Sequence, residues 1–157
     1  MEYKCEYCQM PGAYGNLIFE TEYWQIYLAP SQRYLGTCVV ALKRHCSNLK
    51  GVKCTEWVEF AEIVNELETA LEKTFSPTLF NWSCFMNSAY RVNSPNPEVH
   101  WHLIPRYNYK INLEGLEFFD PDFGYIPQPI ERKISENAMK KIMDKIKENL
   151  DGRILWK

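Results

Sequence analysis

Apolar and polar positions along the chain follow two periods, and the switch between them marks out its elements. In "NLIFETEYWQIYLAP", Tyr23, Gln25 and Tyr27 alternate with Trp24, Ile26 and Leu28. That period of two predicts a pair of strands with a turn near Glu20 to Glu22. "GTCVVALKRH" reads as a buried strand ending in basic residues. "TEWVEFAEIVNELETALEKTF" has the helical period. Thr55 is its expected cap, and Trp57, Phe60, Ala61, Val64, Leu67 and Leu71 form its expected apolar stripe. Its glutamate-rich face is expected to be solvated. "PTLFNWSCFMN" and "EVHWHLIPRY" read as two further strands. After Tyr107 periodicity is lost across residues 108–134, so this segment is expected to be a long loop. A last helix is expected over 135–151, from Ser135, with Met139, Ile142, Met143, Ile146 and Leu150 on one stripe and Gly152 beyond its end. The order predicts an α+β fold, an antiparallel sheet with helices on one side.

Composition narrows the class. The 157 residues fit one domain, 1–157, with a core over about 4–107. Apolar residues make up 46% and aromatics 15%, the balance of a chain with a buried core. A net charge of -2 and a pI of about 6.0 argue against a general nucleic-acid grip. No apolar run approaches membrane-spanning length, and "MEYKCEYCQM" lacks the pattern of a secretory signal. The expected compartment is the cytoplasm, where the six cysteines stay reduced. Cys38 and Cys84 lie in apolar runs and read as core residues. Cys46 and Cys54 flank a loop and suggest no role.

The chemistry concentrates in "EVHWHLI". On a strand, Val99, Trp101 and Leu103 face one way, and Glu98, His100 and His102 the other, in a row roughly 6 to 7 Å apart. The chain has three histidines, and two of them stand here. Metal ligation, acid–base work and nucleophilic attack are all open to such a row, as is a plain solvent-facing edge. Arg106, after Pro105, reads either as a supply of positive charge or as a solvated residue. "CEYC", Cys5 to Cys8, has the spacing of metal ligands. Two unremarkable thiols, or a redox pair, are the alternatives; a redox pair suits the start of a helix after a strand better than a place ahead of the first strand.

"EVHWHLIPRY" resembles the signature of the histidine-triad family, in which histidines alternate with apolar residues at the end of a strand. "LIFETEYWQIYL", "TCVVALKRHCSNL" and "FMNS" resemble the family's opening hairpin, its basic-ended strand and the end of the strand before the triad. The resemblance implies a five-stranded antiparallel sheet with helices packed on it plus a C-terminal helix. It implies hydrolysis or transfer at the α-phosphate of a nucleotide through a nucleotidyl-histidine intermediate. The substrate would be a dinucleoside polyphosphate or a nucleoside phosphoramidate. His100 would be the nucleophile and His102 a hydrogen-bond donor to a phosphate oxygen. Asn87 matches a phosphate-side asparagine. Ser94 and Asn96 fall where the family places residues near the leaving group. Where many members hold the ribose with an acid or amide, this chain has Ala29; Ser31 and Gln32 are the neighbours that could compensate.

In zinc-bearing members two such cysteines join a histidine at the position of His45, and the first triad histidine completes the set. Here that position is Glu98, which gives an expected structural zinc site of Cys5, Cys8, His45 and Glu98. Without metal, Glu98 could orient a neighbouring histidine. Neither an organic cofactor nor magnesium is required, and homodimers are common in the family. Two rivals stand beside this reading: a zinc-stabilised nucleotide-binding or adaptor module with little turnover, and a catalytic metal held by His100, His102 and Glu98.

Overall fold

The two predicted opening strands pair as a hairpin whose entry is set by one glycine. In a computed structural model describing residues 12–154, β1 (Asn16–Glu20) runs antiparallel to β2 (Trp24–Leu28). Gly15, at φ 107°, lies so close to Leu28 that a Cβ would sit 1.9 Å from its carbonyl oxygen. Only glycine fits this entry, and it places Tyr14 over the sheet. β3 (Cys38–Leu42) is wholly buried beside β2, β4 is Leu79–Ser83, and β5 is His100–Arg106. The sheet order is β1-β2-β3-β5-β4, all antiparallel, so β5 lies inside the sheet with β4 at the edge.

Helix α1 (Cys54–Phe75) lies across one face. It starts earlier than expected: Thr55 is not the cap, and the Glu56 carboxylate accepts the Lys53 N–H at 2.8 Å instead. Its buried stripe runs through Ile63, Leu67, Ala70, Leu71 and Phe75, whereas Ala61 is exposed. Phe60 sits among Trp24, Trp82 and Trp101, ring centroids 5.1 to 5.7 Å away, which joins the helix to three strands. The glutamate face is not simply solvated. Glu56 pairs with Arg44 at 2.9 Å, Glu59 accepts Thr21 Oγ1 and the Tyr23 N–H, and Glu68 accepts Trp82 Nε1. Glu66 accepts the Asp151 N–H and ties down the chain after the last helix. These carboxylates meet their partners only because sheet and tail fold around the helix, which periodicity alone does not show.

The 108–134 segment is more ordered than a loop. It opens with a two-stranded hairpin, β6 (Ile111–Leu113) and β7 (Leu116–Phe118), turned at Glu114 and Gly115, both at positive φ. It then runs back as a strap along the β2–β3 loop, where Gln32 N–H donates to Arg132 O and Arg132 N–H to Ser31 Oγ. Helix α2 (Glu136–Glu148) follows, capped by Ser135 as expected, with Met139, Ile142 and Ile146 buried. Cys38 is fully buried, and burial pushes its thiol up to about 12. No helix among the described residues is long and apolar enough to cross a membrane.

Candidate active site

The pleat of β5 sorts its side chains as expected. Trp101 turns to the helix layer, with rings 5.1 Å from Phe60 and 6.3 Å from Trp57. His100 and His102 turn to the opposite face and line a cleft of about 1190 Å³. His102 stands in register between Val39 of β3 and Ser83 of β4, and all three line the cleft. Paired strands on both sides leave the histidine row no freedom to slip, because a one-residue shift would turn it into the core.

His100 is only 2% exposed, and its Nδ1 donates to the Glu98 carbonyl oxygen at 2.8 Å. That bond selects the tautomer with a lone pair on Nε2, the nitrogen directed away from the backbone that holds the ring. Tyr14 packs on one side, ring centroids 5.3 Å apart, and His102 on the other at 5.1 Å. Burial lowers the His100 pKa below its ordinary 6.5, against the opposing pull of Glu98. Burial, and then the neighbouring His100, depress His102 to about 4. Both rings are therefore neutral at pH 7, the state a nitrogen nucleophile needs.

Glu98 contributes twice to this region, through different atoms. Its backbone oxygen orients His100, while its buried side chain, 5% exposed, turns to His45, with Oε2 3.8 Å from Nδ1. A carboxylate and an imidazole are both zinc donors, so this pair would supply two of the ligands of a structural zinc. Cys5 and Cys8 lie outside the described residues. Among those described, no group of three or more His, Cys, Asp or Glu could hold a metal.

Asn87, Ser94 and Asn96 sit on the connection between β4 and β5. Asn87 opens a 3₁₀ turn, Asn87–Arg91, and is exposed, as is Ser94, while Asn96 is half-buried. None of the three lines the cleft; Phe85 and Arg91, from the same connection, do. Sequence reading passed over both, since an exposed aromatic and a lone arginine carry no periodic signal.

Arg106 is neither a phosphate-binding charge nor a solvated residue. It is 1% exposed, and its five N–H groups are all engaged: by both Asp120 carboxylate oxygens at 2.6 and 3.1 Å, Asn81 Oδ1, and the carbonyl oxygens of Asp122 and Tyr125. Its guanidinium lies 5.0 Å from the Tyr34 ring centre. It thus fastens the strap to the strand that carries the histidines. Ala29 lines the cleft where the ribose residue was expected, and of its two neighbours Ser31 lines the cleft while Gln32 does not. Gln32 is fully buried and spends its amide on Ala29 O, Thr37 O and the Gly36 N–H, while Ser31 Oγ accepts from the strap.

No protein-family model and no curated protein sequence matches this chain. Solved structures do. A histidine triad protein from Sinorhizobium meliloti aligns with TM-score 0.63 and 17% identity, over 87% of this chain and 90% of that one. A zinc-bound histidine triad family protein from Mycobacterium smegmatis aligns with TM-score 0.55 and 16% identity, over 92% and 94%. The diadenosine triphosphate hydrolase of Plasmodium falciparum aligns with TM-score 0.59 and 13% identity, over 88% and 78%. At such identities the likeness is one of architecture, and the shared five-stranded sheet and two helices give this chain the histidine-triad fold.

Proposed function

We propose that the protein, acting as one domain, is a nucleotide hydrolase or nucleotidyltransferase of the histidine-triad family working at the α-phosphate. The observation that carries this reading is the 2.8 Å bond from His100 Nδ1 to the Glu98 carbonyl, which leaves Nε2 unprotonated at the floor of a cleft. In the proposed cycle His100 Nε2 attacks the α-phosphorus, the Nε2–P bond forms as the bond to the leaving oxygen or nitrogen breaks, and water later releases the nucleotide. His102, on the same face, donates to a phosphate oxygen as charge builds there. Asn87, Ser94 and Asn96 belong to the proposal as residues of the connection that borders the cleft through Arg91. A diadenosine triphosphate hydrolase among the structural relatives supports phosphoanhydride chemistry.

The test is incubation with dinucleoside polyphosphates and a nucleoside phosphoramidate. Wild type is expected to turn over at least one class and to yield an acid-labile adduct heavier by one nucleotidyl group. His100→Ala is expected to lose roughly 10³-fold or more and to form no adduct. Equal turnover by the two proteins would remove the reading. The rival, a binding module with little turnover, is favoured by Ala29 and by the position of Asn87, Ser94 and Asn96 off the cleft wall. Calorimetric binding of nucleotide without product would support it.

A structural zinc held by Cys5, Cys8, His45 and Glu98 is part of the proposal, supported by the buried Glu98 carboxylate facing His45 and by the zinc-bound relative. It would tie the chain start to two strands. Metal analysis of wild type against Cys8→Ser under reducing, chelator-free conditions tests it; no zinc in either would reject it. A cytoplasmic homodimer completes the reading.

A further inference from the structure

The cleft is lined by three arginines, and they differ in what they have left to offer. Arg106 has spent all five donors on the strap and strand β4. Arg33 shares its charge with Asp122, 3.7 Å away. Arg91, exposed at the end of the 3₁₀ turn, makes no ion pair or hydrogen bond among the described residues. Its guanidinium is therefore an exposed cation of the cleft wall with no such partner, whereas the unpartnered Nε of Arg33 is buried. Phe85, 61% exposed, lines the same rim four residues after Asn81 of β4.

The reaction geometry gives that rim a role. In-line displacement puts the attacking atom and the leaving atom on opposite sides of phosphorus. The attacking atom is Nε2 of a buried ring at the floor, on a nitrogen directed away from the strand. The leaving group must then point out of the cleft, toward the exposed rim. Ser94 and Asn96 do not line the cleft, whereas the exposed Phe85 and Arg91 do.

We propose that Arg91, with Phe85 on the same cleft lining, reads the leaving group and favours substrates whose departing group is an anionic phosphate chain over those that release a neutral amine. This rests on the histidine-nucleophile reading. As the P–O bond breaks, its electron pair stays on the departing phosphate oxygen and negative charge grows there. A guanidinium at the rim gains attraction to that oxygen in the transition state. An amine must take up a proton to depart and ends without negative charge, so it gains nothing from Arg91. Phe85 offers a flat apolar face to a ring carried at the far end of the chain.

The experiment measures kcat/KM for a dinucleoside polyphosphate and for a phosphoramidate of the same nucleoside, and compares their ratio in wild type, Arg91→Gln and Arg91→Lys. The expected result is a fall of about tenfold in the ratio for Arg91→Gln, through the polyphosphate alone, and recovery of most of it in Arg91→Lys. A structural role would lower both substrates together. An unchanged ratio, or an equal loss on both substrates, overturns the assignment and leaves the nucleophile standing. Turnover of neither substrate by wild type removes the nucleophile reading and this inference with it.

Discussion

Single residues here take their meaning from which atom is used. Glu98 stands where the resembled family has a histidine, yet the orientation of His100 needs only its carbonyl oxygen. The side chain is free to face His45. The depressed pKa of His100 sets the pH response of the proposed reaction. The reactive form is the neutral one, present above the folded pKa, so the acid limb of kcat/KM is expected below pH 6.5. A pH–rate profile checks this, and an acid limb above 6.5 would contradict it. Arg106 gives the sharpest stability prediction. Arg106→Ala leaves the buried Asp120 carboxylate without its counter-ion and removes a donor from three further acceptors, at a cost of about 3 to 5 kcal/mol. Thermal unfolding is expected to fall by roughly 10 °C. Arg106→Lys recovers little, because an ammonium cannot span a fork of acceptors.

Helix α1 is held by two kinds of contact. Its apolar side is an aromatic joint centred on Phe60, and Phe60→Ala is expected to cost about 3 kcal/mol in a denaturant titration. The same buried stripe also carries carboxylates. The Arg44 guanidinium beside Glu56 holds that carboxyl below its ordinary 4.5. A lowered folded pKa means stability present above 4.5 and lost as pH falls through the folded value. The stability gap between wild type and Glu56→Gln is therefore expected to narrow between about pH 5 and pH 3. A constant gap would mean that the Arg44 pair adds nothing. Periodicity found this helix and its approximate stripe. It missed Ile63 as a core residue and set Ala61 there instead, because the angle at which α1 crosses the sheet decides which turn of the stripe is covered. The hairpin β6–β7 was missed because strands of three residues are too short to show alternation.

Across the whole molecule, burial of an ionisable row in a cleft carries a stability cost that depends on pH. His102 titrates near 4 when folded and near 6.5 when unfolded, so the unfolded chain takes up its proton first as pH falls. Stability is expected to decline from pH 6.5 toward 4 by at most about 3 kcal/mol from this residue. Chemical denaturation of wild type and His102→Gln at pH 7 and pH 5 checks the sign, with the variant showing the smaller change.

The sequence by itself determined the five strands of the main sheet, the two helices and the facing of His100 and His102, because each follows from the local period of side chains along a backbone of fixed geometry. It also singled out position 98 and the Arg106 that follows Pro105. Only the tertiary structure decided what those residues touch. The partners of Arg106 lie 14 to 25 residues away in the chain, and His45 reaches Glu98 from the connection after β3. Contacts across such distances are fixed by sheet order and by the path of the strap, and neither leaves a periodic trace in the sequence.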